Sequence, residues 1–207
     1  MNRMSVIVVG IFLTFLSSWI GLVAYPYLTL GRYTPVTDEE TGDINPPPLS
    51  GLAVKGQQVY ASAGCVYCHS QQVRQIGYGS DLERGWGARP TVARDYMREN
   101  PVFLGTMRTG PDLTNIGARQ PSAMWHHQHL YQPGTVSPGS IMPAYRYLYE
   151  MREIEGQRSA YAIDLLPPDN PPDGYEVVPT AEAEALVAYL LSLNRNYPLP
   201  EAPEPPQ

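Results

Sequence analysis

The sequence predicts a mainly α chain, in which a single N-terminal transmembrane helix precedes one modest helical domain with long loops. Three observations predict it. An uncharged apolar run extends from Met4 to Gly31, and helix-forming patterns stand at both ends of the region after it, with no alternating strand run competing. Between those patterns the chain is broken by many of its 22 Pro and 18 Gly, which punctuate helices and imply loops.

The run MSVIVVGIFLTFLSSWIGLVAYPYLTLG exceeds the roughly 20 apolar residues that one helix needs to cross a bilayer core. A cleaved signal peptide would carry an apolar region of only about 7–15 residues and end in a small-residue cleavage site. Tyr25-Pro26-Tyr27 suits an interfacial aromatic anchor instead, as does Trp19, so residues 4–31 are expected to be retained. Arg3 precedes the run, and Asp38, Glu39, Glu40 and Asp43 follow it. The positive-inside rule then leaves the short N-terminus in the cytoplasm, with Arg32 counting against it.

Residues 32–50, with their acidic cluster and Pro46-Pro47-Pro48, read as a semi-rigid linker. Residues 51–195 have the size of one domain. The Pro-rich tail 196–207 is expected to be extended or disordered. A formal net charge of −6 with no basic stripe argues against a nucleic-acid partner.

Within the domain, Leu52 to Ala63 is built of good helix formers and stops at Gly64, with Gly56 and Tyr60 four apart on one face. Thr180 is a cap for a last helix whose Glu182 and Glu184 suit its positive end. Leu186, Val187, Leu190, Leu191 and Leu193 give that helix a broad apolar surface.

Cys65-Val66-Tyr67-Cys68-His69 carries the chemistry. Two thiols at this spacing reach the two vinyl groups of one porphyrin, and the adjacent imidazole then falls beneath the iron, which is the pattern for covalent attachment of one haem c. The chain has only 2 Cys, both in this motif, so a disulfide framework elsewhere is excluded. A zinc site would need further ligands at suitable spacing, and a dithiol redox motif would need a βαβ context. Haem c is attached outside the bacterial cytoplasmic membrane, so His69 and the main body belong on the far side from the N-terminus.

The sixth iron position needs its own candidate, because a thioether ligand favours electron transfer and an open position favours gas or peroxide chemistry. Met142, in the Pro-bounded Ser140-Ile141-Met142-Pro143 loop, is one. Met97, Met107, Met124 and Met151 are rivals, and His126, His127 or His129 would give two imidazoles. An iron-bound His normally gives its other N–H to an acceptor, and the Pro111 carbonyl in Gly110-Pro111-Asp112 is suited to it. Arg108 and Arg119 are candidates to neutralise propionates, and Trp125 to offer its indole N–H.

The ordered set GCVYCHSQQVR, RTGPDLTNIGAR, MWHHQHL and SIMPAY resembles the monohaem cytochrome c subunit of cbb3-type cytochrome c oxidases, the FixO or CcoO type. The resemblance runs from the anchor to about Tyr147, and the C-terminal helix fits too. It implies a class I cytochrome c domain on a transmembrane helix, with Cys65 and Cys68 as thioether sites and His69 and Met142 as axial ligands. It also implies the Pro111 carbonyl as partner of the His69 ring. The implied partners are a haem-copper catalytic subunit and a dihaem or other cytochrome c that donates electrons, all in the bacterial inner membrane.

The sequence departs from the family at Ser70-Gln71-Gln72-Val73-Arg74-Gln75, where Ser-Gln-Met-Ile-Arg-Pro is usual, and at Met107, where a basic residue often stands. Residues 149–178 match the pattern poorly and read as a lineage-specific loop. Arg84, Trp86, Arg89, Arg94 and Arg98 lie in a long loop that either faces the catalytic subunit or is solvated. Other readings are the small cytochrome subunit of a nitric oxide reductase, an independent membrane-bound carrier, and a haem-based sensor or peroxidase. In the leading reading the chain makes and breaks no substrate bonds and acts as the electron-transfer subunit of an oxidoreductase complex.

Overall fold

An apolar segment without charge has no use for a water-facing surface, and no described residue of the helix formed by residues 4–30 is buried against the rest of the protein. The computed structural model, which describes residues 3–31 and 33–202, buries none of its side chains and leaves most of the large ones exposed, Phe15 and Leu22 among them. Its 27 residues reach about 40 Å at 1.5 Å per residue, enough to span a core of roughly 30 Å. It is a candidate transmembrane helix.

Its threonine hydroxyls are satisfied within the helix. Thr14 donates to the Gly10 carbonyl at 2.9 Å and Thr29 to the Tyr25 carbonyl at 2.8 Å, as an apolar solvent demands. The helix is not uniform: α1 (Met4–Trp19) passes through a π-turn at Ile20–Ala24 into α2 (Tyr25–Leu30). Pro26 is the physical cause, because its ring clashes with the carbonyl one turn back and it brings no N–H. Arg32 lies outside the described residues.

The body is organised by two helices that cross at a glycine. In α3 (Gly51–Ser62), the Ser50 hydroxyl accepts the Ala53 N–H at 3.2 Å, and Gly64, left-handed at φ 74°, stops the chain just before Cys65. In α7 (Ala181–Ser192), the Thr180 hydroxyl accepts the Ala183 N–H at 3.3 Å, as its position in the sequence predicts. A Cβ at Gly56 would lie 1.9 Å from the Ala185 carbonyl oxygen, so only glycine permits this approach. Tyr60 packs edge-on against Tyr189 at 5.4 Å and tilted against Phe103 at 5.5 Å. Leu186 is completely buried, which contributes about 1.5–3 kcal/mol.

Short helices α4 (Ile116–Arg119), α5 (Ala123–Tyr131) and α6 (Pro133–Val136) lie between them in the chain. The fold is mostly helical, but two antiparallel pairs correct the expectation that no strands form. β1 (Val36–Thr37) pairs with β2 (Ile44–Asn45), and β3 (Tyr149–Glu153) pairs with β4 (Tyr175–Pro179) in the register Tyr149↔Pro179 to Glu153↔Tyr175. The second ribbon forms because Val177 and Val178 are buried, while Arg152 reaches across to Glu176 at 2.8 Å. Residues 149–178 are therefore not simply a loop. The connection also returns to the body: the Ile163 N–H donates to the Val177 carbonyl at 2.9 Å.

Three arginines of residues 75–103 bond back to the linker, the body and the tail, whereas Arg84 is exposed. Arg89 makes a buried fork with Asp95 at 2.8 and 2.9 Å, and donates to the Tyr197 carbonyl at 2.9 Å. Arg94 pairs with Glu201 at 2.6 Å, donates to the Thr34 carbonyl, and stacks over Tyr33; Arg98 donates to the Pro46 carbonyl at 2.9 Å. These contacts fold the start of the tail onto the body, burying Leu199 and Ala202 rather than leaving them extended. Pro203, Pro205 and Pro206 lie outside the described residues.

Candidate functional site

The two cysteines and His69 follow α3 directly. Cys65 opens a 3-10 turn, Cys65–Tyr67, and the His69 N–H donates to the Cys65 carbonyl at 3.0 Å, so one tight turn presents all three side chains together. All three line a cavity of about 600 Å³, within the roughly 300–1,000 Å³ range of cofactor sites. Burial pushes the Cys65 thiol up to about 11, whereas Cys68 is exposed.

The opposite stretch of chain cradles the imidazole. His69 Nδ1 lies 2.7 Å from the Pro111 carbonyl oxygen, so Nδ1 carries the proton and donates, leaving Nε2 with a free lone pair. A Cβ at Gly110 would lie 2.3 Å from His69 Cε1, and one at Gly105 would lie 2.5 Å from the His69 carbonyl oxygen. Burial lowers the His69 pKa, which keeps the ring neutral and able to bind a metal.

Met142 lines the same cavity, and among the described methionines it alone does. Its loop is held at both ends. The Ser137 N–H donates to the Pro133 carbonyl at 2.9 Å, and the Tyr145 N–H to the Leu130 carbonyl at 2.8 Å. Met107 and Met151 are exposed, and the Met124 sulfur accepts the Asp164 N–H at 3.4 Å.

Of the histidine rivals, His127 is outside the lining, against the Tyr149 hydroxyl at 3.2 Å. His126 lines the cavity but ties Nε2 to the Gln120 carbonyl at 2.8 Å. His129 lines it too, stacked on Trp125 at 4.8 Å. Among the described residues no three His, Cys, Asp or Glu side chains are grouped so that they could hold a metal ion.

Arg119 and Trp125 are in the lining. Arg119 donates one terminal N–H to the Asp112 carbonyl, while its Nε is buried without a partner, and burial lowers its pKa. The His69 tautomer, the two cysteines beside it and the apolar walls from Leu113, Ile116, Leu186 and Leu190 make the residues fit a haem.

Arg108 does not fit the propionate role expected of it. It is absent from the lining because its guanidinium is committed to Asp81, at 2.6 and 2.7 Å, and lies over Trp86. Sequence reasoning also missed Asp112, fully buried beside Pro111, and Gly110 as the floor under the ring. The only local signal for either was their place next to Pro111.

Residues 8–164 match the family described as cytochrome C oxidase, mono-heme subunit/FixO. The chain belongs to the FixO family. No curated protein matches it. The FixO match begins inside α1 and runs beyond β3, past the Tyr147 limit of the expected resemblance. FixO membership makes this a mono-haem subunit of a cytochrome c oxidase, a component of electron transport that works with other oxidase subunits in a membrane complex. The apolar N-terminal helix of the FixO chain is consistent with membrane anchoring.

Proposed function

We propose that this chain is the electron relay of a cbb3-type haem-copper oxidase, carrying one haem c on a class I cytochrome c domain. Cys65 and Cys68 form the thioether bonds, and His69 and Met142 are the axial ligands. The N-terminus is cytoplasmic and the body lies on the periplasmic or external side of the inner membrane. The single observation that carries this reading is the 2.7 Å contact of His69 Nδ1 with the Pro111 carbonyl, in the wall of a cavity that both cysteines and Met142 share.

Haem c, when bound, supplies a one-electron iron couple. The chain's own residues do the rest. Pro111 orients His69 and makes it a stronger donor, Met142 offers a soft sulfur that raises the potential, and Arg119 adds a positive charge to the cavity wall. An upstream dihaem or other cytochrome c is the donor and the haem-copper subunit the acceptor, so no substrate bond is made or broken here.

Purification from membranes, with subunit identification and quantification of haem and copper, tests the proposal. A complex with one haem c on this chain and copper in its partner supports it. Non-haem iron in place of copper would assign the chain to a nitric oxide reductase.

A further inference from the structure

Arg108, turned away from the cavity, is the centre of a buried polar cluster that joins the two segments flanking the His69–Pro111 contact. Ser70 follows His69 in the chain, and Asp112 follows Pro111. The Ser70 hydroxyl donates to Asp112 Oδ2 at 2.6 Å and accepts from Arg108 Nε at 2.8 Å. Asp112 Oδ2 also accepts the Gln72 N–H at 2.8 Å, and its Oδ1 accepts the Thr114 N–H at 2.8 Å.

Backbone bonds run in parallel, from the Leu113 N–H to the Ser70 carbonyl at 2.8 Å and from the Gly110 N–H to the Cys68 carbonyl at 3.0 Å. Arg108 closes the far side. Its fork engages Asp81, which also accepts the Arg74 N–H at 2.7 Å, and one arm reaches the Gln72 carbonyl at 2.6 Å.

Ser70, Asp81 and Asp112 are at most 3% exposed. For stability alone, a buried ionic cluster has little advantage over apolar packing of the same volume. Its distinctive property is geometric, because a fully bonded network in a low-dielectric interior admits one arrangement.

We propose that Arg108, Ser70 and Asp112 are positioning residues that hold the Pro111 carbonyl on His69 Nδ1 and thereby lower the reduction potential of the site. The proposal rests on His69 being an axial ligand. A firmly held acceptor makes the imidazole more basic, which favours ferric iron; a loosened acceptor lets the potential rise.

The sign of the potential shift separates positioning from plain charge. In the full-length protein extracted from membranes, Arg108→Lys keeps the charge and removes the fork. Positioning predicts a rise in midpoint potential together with faster exchange of the His69 Nδ1 proton. A charge-only role predicts no shift.

Arg108→Gln sharpens the contrast: loosening raises the potential, whereas loss of a positive charge near the iron lowers it. Ser70→Ala changes no charge and replaces the arginine variants should they not accumulate. A potential that stays or falls in the variants obtained overturns the proposal. His69→Ala tests the underlying reading separately. If that variant keeps the low-spin spectrum, the ligand assignment has failed; if the spectrum depends on His69 and the potential ignores Arg108 and Ser70, only the positioning role has failed.

Discussion

Gly110→Ala places one methyl group against the ring on which the proposed function depends. The new Cβ would lie 2.3 Å from His69 Cε1 and 2.8 Å from both ring nitrogens, whereas carbon atoms settle at about 3.5–4 Å. Ring and loop must separate by roughly 1 Å to restore ordinary contact. Gly110 has no positive φ, so alanine is not strained there by its backbone and the effect comes from contact alone. The Pro111 carbonyl, on the next residue, moves with the loop, and a bond now at 2.7 Å passes beyond the roughly 3.2 Å limit of a good N–H···O bond. Overpacking costs about 1–3 kcal/mol and the lost hydrogen bond about 0.5–1.5 kcal/mol. At roughly 2–4 °C per kcal/mol for a chain of this size, the thermal midpoint should fall by about 5–15 °C. Calorimetry of the detergent-solubilised protein reads that shift, and a redox titration should show a raised potential. The exposed Thr106→Ala, as control, should stay within about 0.5 kcal/mol of the parent. An unchanged midpoint and potential in Gly110→Ala would refute the argument that this loop clamps the imidazole.

Four further outcomes are expected. Replacing both Cys65 and Cys68 with Ala should abolish covalent haem staining on a denaturing gel, and surviving stain would place the attachment elsewhere. Met142→Leu preserves approximate volume while deleting the sulfur, so it should lose the weak sulfur-to-iron absorption band and lower the potential or open the site; an unaltered spectrum would direct attention to His129. A reporter active only outside the cytoplasm, fused after Asn194, should be active, and an N-terminus sequenced near residue 33 would show instead that the helix is cleaved. Burial chiefly, aided by His126, holds His127 down to about 4, and burial with His69 and His126 does the same for His129. The unfolded chain takes up those protons near 6.5, so stability is full above that pH and declines as pH falls towards 4. Unfolding midpoints across that window should show the decline, and His127→Gln should flatten it.

The pattern of α7 illustrates how far local signals reach. Its Thr180 cap and leucine surface were legible because both follow from the period of a single helix, yet nothing local says that Leu186 and Leu190 wall a cofactor cavity. The β3–β4 ribbon was missed for a related reason. Its strands are only five residues each and are joined by residues 154–174, so their pairing depends on burial of Val177 against the body rather than on any alternation within the strands.

Neighbouring residues alone fix the apolar N-terminal helix, the C-x-x-C-H turn, the cap at Thr180 and the stop at Gly64. A run of uncharged apolar side chains has no favourable place in water, and C-x-x-C-H spacing is set within one turn of chain. Tertiary structure alone decided which methionine reaches the cavity, that His126 gives Nε2 to Gln120, and that Arg108 faces Asp81 instead of a propionate. It also turned Arg89, Arg94 and Arg98 inward onto the tail and linker. Most of these choices join groups far apart in the chain, 27 residues apart for Arg108 and Asp81 and 108 for Arg89 and Tyr197. The energy that selects among candidates at that range comes from burying polar groups only where partners await them, and that cost exists only once the chain has closed.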